Sequence, residues 1–345
     1  MRSSTAMSTD YLAIEPFLKD ALQGRALQSA FDLGIIDRLA AADADVTVDA
    51  ALKGLDCDRP GGSFLLQVLA SANVLRLQNE QVQLTNAFRN ALRFRDLMMT
   101  KLQFAQLVAA DYFECLPQLL RSAEDFMGAA KLFELFDYSR CIEITTGNCM
   151  QASRWMQLTT MLTRYEGPVC CDAWDFGRHR HMLDVGGNSG EFAMQVCRRE
   201  PTLTATVLDL PVVCQVGMRH LQHQPEANRI QFHAADMVHD DFPVGADLIC
   251  WKSVLHDWPD SEVQHLLQKS FDQLPVGGRI LIFERCQWDS STFPVSYGQL
   301  PVLLFFRSYR SPETYDRWLT NCGFRNVTTK FVQLDVPFVL MSGER

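Results

Sequence analysis

The second half of the chain alternates short apolar runs with helix-like segments, and this alternation constrains the fold more than any other feature. Buried strands that alternate with helices form βαβ units and a parallel sheet with both faces covered. The helix-like segments lie at 189–199, 211–221 and 260–274. A later helix and two closing strands complete the predicted α/β domain. The runs are HMLDVG, TATVLDL, IQFHAAD, DLICWKS and RILIFER, followed by SPETYDRWLTNCGF, RNVTTKFVQL and PFVLMSG.

The first ninety or so residues have a different pattern, in which helices precede a two-stranded ribbon. Apolar residues recur at helical spacing over 17–40, where Gly34 indicates a break between two helices. A short helix follows, and we then expect a helix that is capped by Ser63 and runs to Leu75. LRLQNEQVQLT alternates apolar and polar residues, as a hairpin does. This order of elements is typical of a winged helix.

The predicted helix from Ser63 to Leu75 distinguishes DNA binding from subunit contact. A winged helix can place such a helix in a major groove, but this one contains no Lys or Arg. The formal net charge of −9 also disfavours contact with phosphates. Because a helix that is apolar nearly all round must be buried, we expect residues 1–95 to be the dimerisation domain of a homodimer. We expect no nucleic-acid partner.

Residues 96–172 are predicted to be helical and are rich in Met, Phe, Tyr and Leu. Such side chains usually form core, but together they can wall an apolar pocket for a small-molecule acceptor. We expect PVLLFF, at 301–306, to contribute to the same pocket. The third predicted domain, 173–345, contains the α/β alternation.

The compartment and the metal content follow from what the sequence lacks. No apolar run approaches the roughly 20 residues of a membrane helix, and the first residues have no signal-peptide stretch. We therefore expect a soluble, cytoplasmic protein with no membrane partner. The eleven cysteines include no C-x-x-C pair and are typical of reduced core residues. His179 and His181 lack further ligands at the required spacing, so no metal site is predicted.

Asp184 ends the first strand of the α/β domain, and three glycines follow it, in MLDVGGNSGEFA. Ligands of open parallel sheets bind beyond the carboxyl ends of the strands. Gly186, Gly187 and Gly190 are expected to let the backbone approach such a ligand. Asp209 ends the second strand, where its carboxylate can accept hydrogen bonds from both hydroxyls of a ribose.

Two cofactors fit a glycine turn with a distal acid. A dinucleotide places its pyrophosphate at the helix N-terminus, where Asp184 would face it with like charge. S-adenosylmethionine carries a sulfonium and an ammonium group, which suit this acid better. Leu210, and Asp236 and Met237 in AADM, are then predicted to contact the cofactor, the last two at the adenine. The alternative is that Asp209 and Asp236 are ordinary capping acids at strand ends.

Several motifs, in this order, are similar to those of one known family: LDVGGNSGEFA, VLDLP, AADM, WKSVLHDWPD, LPVGGRILIFER and NCGF. The chain resembles class I S-adenosylmethionine-dependent O-methyltransferases of the caffeate, hydroxyindole and bacterial natural-product type. The resemblance implies a Rossmann-like α/β domain with a mostly parallel seven-stranded sheet, preceded by a winged-helix-like dimerisation domain. It implies methylation of a hydroxyl on an aromatic, heteroaromatic or polyketide-like small molecule. It also implies that His256 is the general base and that Lys252 lies near the cofactor, often through its backbone.

Glu284 is the predicted partner of His256. It ends the strand next to the one that precedes His256, and its position matches a Glu that flanks the catalytic His of plant relatives. A carboxylate on the second ring nitrogen fixes the tautomer and stabilises the imidazolium. A phenol with a pKa near 10 is protonated at neutral pH, and a placed base contributes about 10²- to 10⁴-fold. The alternative is that His256 only forms a hydrogen bond within a helix-capping turn.

The sequence departs from the plant members at one place. Tyr309 stands where their GGKERT segment has a second Glu beside the base. Arg307 and Arg310 flank it and are expected either to meet an anionic acceptor or to be solvated surface charges. Three other functions stay open: C- or N-methylation on the same scaffold, a non-enzymatic ligand-sensing winged-helix protein, and a catalytically silent dimer partner.

Overall fold

The computed structural model describes residues 15–42, 44–287, 308–334 and 336–345. The chain divides into two compact units, Met1–Gln106 and Leu107–Arg345. The first unit has its own hydrophobic core, and the core of the second unit lies on the two faces of a sheet. The finer predicted division into 1–95, 96–172 and 173–345 stays a prediction.

The first unit consists of helices and a small antiparallel sheet. Its elements are α1 (Glu15–Asp32), α2 (Ile35–Ala41), β1 (Val46–Thr47), α3 (Val48–Leu52), α4 (Arg59–Ser71), β2 (Leu75–Gln78), β3 (Gln81–Leu84), α5 (Asn86–Ala91) and the beginning of α6 (Arg95–Arg121). Gly34, with a φ of +79°, lies at the predicted break between α1 and α2. Asn79 and Glu80 form the turn of the predicted hairpin, and both have positive φ, as a two-residue hairpin turn requires. The strands pair in the order β1-β3-β2.

Helix α4 begins earlier than the sequence suggested. Its N-cap is Asp58 and not Ser63, because the Asp58 carboxylate accepts a backbone hydrogen bond from the first turn. The helix therefore includes Arg59, which is paired with the carboxylates of Asp49 and Glu80. The prediction of a helix without cations was wrong at this end.

Helix α4 is buried on one side only. Leu66 and Leu69 are fully buried in the core of the first unit, whereas Phe64 is 57% exposed. Within a single chain its other side is open, and the expected burial of that side against another subunit stays a prediction.

The second unit contains the predicted alternation of strands and helices. Its elements after α6 are α7 (Ala123–Ala129), α8 (Thr146–Ala173), β4 (His181–Val185), α9 (Glu191–Arg199), β5 (Thr204–Asp209), α10 (Pro211–Leu221), β6 (Ile230–Ala234), β7 (Leu248–Lys252), α11 (Asp260–Gln273), β8 (Arg279–Arg285), α12 (Pro312–Cys322), β9 (Arg325–Gln333) and β10 (Pro337–Glu344). Single 3₁₀ turns lie at Tyr138–Cys141 and Leu255–Asp257. Helix α9 begins after Gly190, which has a φ of +74°.

The sheet has seven strands in the order β6-β5-β4-β7-β8-β10-β9. The first five are parallel, and β10 is antiparallel to both of its neighbours. The prediction of a mostly parallel seven-stranded sheet is therefore confirmed. Because parallel strands end at one edge, the carboxyl ends of β4, β5, β7 and β8 bring distant residues together there.

Candidate active site

The glycine bend connects β4 to α9 and is packed tightly against the protein itself. Gly186 and Gly190 have φ values of +65° and +74°, which glycine adopts without strain. A Cβ added at Gly186 would lie 2.8 Å from Val254 Cγ2, and one added at Gly187 would lie 2.7 Å from Asp184 Oδ2. The bend therefore needs these glycines for its own packing. Their predicted contact with a cofactor is an additional role and stays a prediction.

Asp184 lies behind this bend, at the end of β4. It is 1% exposed, and its Oδ2 has no hydrogen-bond partner among the residues that the structure describes. Burial raises the pKa of Asp184 to about 7; Lys252 opposes this rise and Asp209 adds to it. An unpaired buried carboxylate is unfavourable, so a cation at the bend would stabilise its charged form. S-adenosylmethionine, which carries an ammonium and a sulfonium group, fits this requirement.

Asp209 ties the bend to the end of β5. Its Oδ2 accepts the backbone N–H of Asn188 and its Oδ1 that of Leu210, each at 2.8 Å. Burial raises the pKa of Asp209 to about 6, although both hydrogen bonds act in the opposite direction. Because each carboxylate oxygen has two lone pairs, acceptor capacity is left for the ribose hydroxyls predicted from the sequence.

Asp236 and Met237 follow β6 at the same edge of the sheet. Asp236 Oδ1 accepts the N–H of Val238, and Oδ2 lies 2.9 Å from His239 Nδ1. Burial raises the pKa of Asp236, but the His239 and Val238 contacts outweigh it, so the pKa is lowered. Met237 is partly buried against the core. These local bonds agree with a capping acid, and the adenine contacts stay a prediction.

The side chain of Lys252 belongs to a buried charge cluster that the sequence did not indicate. Lys252 Nζ lies 2.5 Å from Glu166 Oε2, and Arg285 donates to Glu166 Oε1 at 2.5 Å. All three side chains are at most 8% exposed. Burial raises the pKa of Glu166, but Arg285 and Lys252 together have a larger, opposite effect. The net shift of this pKa is therefore downward. Lys252 Nζ also donates to Thr163 Oγ1 at 3.0 Å, and the predicted contact of Lys252 with the cofactor stays a prediction.

His256 and Glu284 are in direct contact, as predicted. His256 lies in the turn after β7, and its Nδ1 is 2.9 Å from Oε2 of Glu284 on β8. The two side chains are 9% and 1% exposed. The other carboxylate oxygen of Glu284 accepts the backbone N–H of Arg285 at 2.9 Å. Both oxygens of this buried carboxylate are therefore paired.

The charges of this pair define which ring nitrogen can accept a proton. Burial lowers the pKa of His256, but Glu284 and Asp257 outweigh it, so the pKa is raised. Burial raises the pKa of Glu284, but His256 outweighs it, so the pKa is lowered. An ionised Glu284 can only accept hydrogen bonds, and Nδ1 of His256 therefore carries the proton that it donates. Nε2 is left as the atom that accepts a further proton.

Asp257 and Tyr138 complete the surroundings of the imidazole. Asp257 Oδ1 lies 3.3 Å from His256 Nε2, and the Tyr138 hydroxyl donates to Asp257 Oδ2 at 3.3 Å. Burial raises the pKa of Asp257, against the effect of His256. The ring of Tyr138 lies edge-on to Trp155 of α8, with centroids 5.7 Å apart. The aromatic pair of Tyr138 and Trp155 is thus connected to the site by one hydrogen bond.

Tyr309, which is predicted to stand where plant relatives have a second Glu, lies beside His256. It is 5% exposed, and its ring centroid lies 5.1 Å from that of His256. Burial raises the pKa of its hydroxyl far above the usual value. Arg310 is 11% exposed and bonded within the protein, so it is neither a solvated charge nor an open anion site. Arg307 and the PVLLFF segment lie outside the described residues.

The histidine pair of the GRHRH stretch has packing roles. The ring of His179 stacks on Trp174, and His181 contacts the hydroxyls of Thr204 and Thr206. Within the described ranges, no three or more His, Cys, Asp or Glu residues form a group that could hold a metal ion. In the same part of the chain, no helix has the length and apolar character required to cross a bilayer. All eleven cysteines are free thiols.

The sequence did not indicate Glu166 or Tyr138 as residues of the site. It also did not indicate that Arg310 binds the backbone of the turn that carries His256. Glu166 had one available signal, an acid in the otherwise apolar stretch YEGPVC. Tyr138 had none, because a tyrosine in a loop carries no periodicity. Arg310 was noticed only for its charge.

Comparison with known proteins places this chain in a family. A sequence profile of the O-methyltransferase domain matches residues 128–325. The chain is 29% identical over 314 residues to 3-hydroxy-5-methyl-1-naphthoate 3-O-methyltransferase of Streptomyces sahachiroi, covering 88% of this chain and 87% of that protein. It is 25% identical over 333 residues to human acetylserotonin O-methyltransferase, covering 93% and 94%.

A solved structure has the same fold. The crystal structure of human N-acetylserotonin methyltransferase in complex with S-adenosylmethionine superposes with a TM-score of 0.74 at 23% identity, covering 100% of this chain and 99% of that one. The profile match extends over more than half of the chain, and the resemblance noted in the sequence is confirmed. This chain therefore belongs to the family of S-adenosylmethionine-dependent O-methyltransferases.

Proposed function

We propose that this O-methyltransferase acts on a phenolic or enolic hydroxyl of an aromatic, heteroaromatic or polyketide-like small molecule, with His256 as general base and Glu284 as its orienting carboxylate. The observation that carries the proposal is the contact of 2.9 Å between His256 Nδ1 and Glu284 Oε2. S-adenosylmethionine, when bound, supplies a methyl group on a sulfonium that is already a good leaving group. The protein must therefore align the acceptor and remove its proton.

The raised pKa of His256 suits it to this task. A phenol with a pKa near 10 is a poor nucleophile until its proton is removed. Because Glu284 and Asp257 raise the pKa of His256, its Nε2 is a stronger base than a solvated imidazole. Such a base contributes about 10²- to 10⁴-fold to the rate.

The aromatic residues beside the base support an aromatic acceptor. Trp155 of α8 packs against Tyr138 and Phe136, with centroids 5.7 and 6.1 Å apart, and Tyr138 reaches Asp257. Flat apolar rings favour offset or edge-on contacts with other rings. The relatives named above act, by their names, on a naphthoate and on acetylserotonin.

The buried pair also favours O-methylation over the alternatives. An amine nucleophile needs less help from a base than a phenol, and a ligand sensor needs none. A DNA-binding regulator would require an unpaired basic helix, but the only cation of α4, Arg59, is paired with two carboxylates. In a gel-shift with random DNA at low salt, we expect no retardation.

We also propose that the protein is a homodimer that uses its apolar helices. Phe113 and Leu116 lie one turn apart on α6 and are 80% and 44% exposed, and Phe64 of α4 is 57% exposed. Phe113 and Leu116 are neighbours on one helix, and large apolar side chains exposed side by side mark an interaction surface. Light scattering at micromolar concentration should give twice the mass of the chain, and a monomer would remove this proposal.

The test of the function is methyl transfer itself. The protein is incubated with S-adenosylmethionine labelled in the methyl group and with phenols, flavonoids, polyketides, pyrroles and tetrapyrroles. The expected result is a product whose mass has gained one methyl group on oxygen. A product methylated only on carbon or nitrogen would contradict the proposal. If no acceptor reacts but S-adenosylhomocysteine raises the Tm, the protein is a silent dimer partner.

A further inference from the structure

The single turn that carries His256 is weakly supported by its own backbone. Within it, the Asp257 N–H donates to the Val254 carbonyl at 3.1 Å, and the Trp258 N–H donates to the Leu255 carbonyl at a long 3.4 Å. Ser253, directly before the turn, has a φ of +54°, a region that is unfavourable for a residue with a Cβ. The backbone of such a turn therefore depends on contacts from outside it, even though the imidazole is bonded to Glu284.

The guanidinium of Arg310 provides that support. Its Nη1 donates to the carbonyl of Leu255 at 2.8 Å, and its Nη2 donates to the carbonyl of Trp258 at 2.6 Å. These two carbonyls lie on either side of the His256–Asp257 pair. Its Nε also donates to Asp260 Oδ1 at 2.8 Å, at the start of α11. Three donors of one rigid group thus fix both ends of the turn.

Arg310 is itself held firmly. Its side chain is 11% exposed, and its guanidinium lies 5.4 Å from the ring centroid of Trp318 on α12. The preceding residue, Tyr309, packs against the imidazole of His256. Two consecutive residues therefore contact the turn, one at its side chain and one at its backbone.

We infer that Arg310 is a positioning residue for the proposed base, which acts by clamping the backbone on both sides of His256. This inference rests on the proposed function. The three hydrogen bonds described above join Arg310 to two carbonyls and to Asp260, and not to the imidazole, so its effect on the reaction passes through the turn. A base displaced by about 1 Å can lose on the order of 10²-fold in rate.

The experiment compares Arg310→Ala and Arg310→Lys with Arg317→Ala, in the full chain. Arg317 is an exposed residue of α12 and serves as the matched control. For Arg310→Ala we expect kcat to fall about 10- to 100-fold, while the Kd of S-adenosylhomocysteine changes less than about threefold. Arg310→Lys should recover part of kcat, because an ammonium can bind one carbonyl but not bridge two. Millimolar guanidinium should partly restore Arg310→Ala but not His256→Ala.

An NMR titration of the His256 imidazole gives a readout that does not need activity. In the native protein the contact with Glu284 holds the pKa of His256 above its usual value, and loosening the turn should bring that pKa down in Arg310→Ala. An unchanged titration in Arg310→Ala would overturn the inference, whether or not an acceptor is known. A kcat within twofold of the native value would do the same. Activity lost only in parallel with Tm and cofactor affinity would also overturn it. If the native protein methylates no hydroxyl, the proposed function fails separately, and the titration alone decides.

Discussion

Two buried carboxylates at the same edge of the sheet have opposite electrostatic states. Asp184 and Glu284 are each 1% exposed. Asp184 has an oxygen without a partner among the described residues, and its pKa is raised to about 7. Glu284 has both oxygens paired, and its pKa is lowered.

The pKa values of Asp184 and Glu284 shift in opposite directions because their partners differ, and not because their burial differs. Removing a carboxyl group from water favours its neutral form, and only a facing cation or donor reverses this. His256 Nδ1 and the backbone N–H of Arg285 provide those donors for Glu284, so the chain completes the base by itself. Lys252 offsets the burial of Asp184 only in part, and we propose that a cationic group of S-adenosylmethionine stabilises its charged form. We therefore propose that the cofactor completes one site, whereas the other is already assembled.

Replacing the base should produce the largest effect and should leave the other site intact. For His256→Ala we expect a loss of about 10²- to 10⁴-fold in kcat, with an unchanged Kd for S-adenosylhomocysteine. His265→Ala, on the exposed face of α11, is the control. Radiometric methyl transfer and calorimetry measure the two quantities. Loss of both together would mean that the two sites are not separate.

Replacing the partner of the base should have the next largest effect. Glu284→Gln removes the negative charge next to Nδ1, so kcat should fall about 10- to 100-fold. Nε2 must be free of its proton to act, and the native rate therefore rises as the pH rises through the raised pKa of His256. Without Glu284 that pKa falls, and the acid limb of the pH–rate profile should move to lower pH. An acid limb at the native pH would contradict the role of Glu284.

Neutralising Asp184 should have a smaller effect than the two changes above. It should weaken cofactor binding but increase the stability of the protein. Asp184→Asn should weaken binding of S-adenosylmethionine about tenfold, since one favourable charge interaction is lost. In the native protein without ligand, folding keeps a proton on Asp184 that the unfolded chain releases. Stability therefore falls as the pH rises from about 4 to 7, by up to about 4 kcal/mol in view of a pKa raised from 3.8 to about 7.

The Tm of Asp184→Asn tests the predicted fall of stability with rising pH. Asp184→Asn should have a higher Tm than the native protein at pH 8, and the gain should vanish near pH 4. Asp316→Asn, at an exposed position of α12, should give no such gain. If Asp184→Asn instead lowers the Tm at pH 8, the unpaired state of the carboxylate is contradicted.

Elements with a local signal were predictable from the sequence. Helix α10 begins at Pro211 and ends at Leu221 as expected, because Pro fits a first helical turn. The strand ends, which place Asp184 and Glu284 at one edge, follow from the βαβ pattern. The start of α4 was missed because Asp58 caps a turn that contains two glycines, which look like a loop in the sequence.

Contacts that depend on long-range packing were not predictable. Glu166 meets Arg285 and Tyr138 meets Asp257 across 119 positions each, and no local spacing encodes either contact. Arg310 lies 55 positions from Leu255, and its charge alone suggested an anion. The sequence thus locates the ionisable side chains at strand ends. It does not show which residues of the helices and loops pack over them.

The proposed role of Asp184 in cofactor binding can be tested by counting the protons released when S-adenosylmethionine binds. Calorimetric titrations at pH 7, in buffers of different ionisation enthalpy, give this number for the native protein and for Asp184→Asn. We expect the native protein to release about half a proton per site, because a carboxyl group with a pKa of about 7 is half protonated at pH 7. We expect no such release from Asp184→Asn. An equal proton count in the two proteins would contradict the claim that the cofactor supplies the missing partner of Asp184.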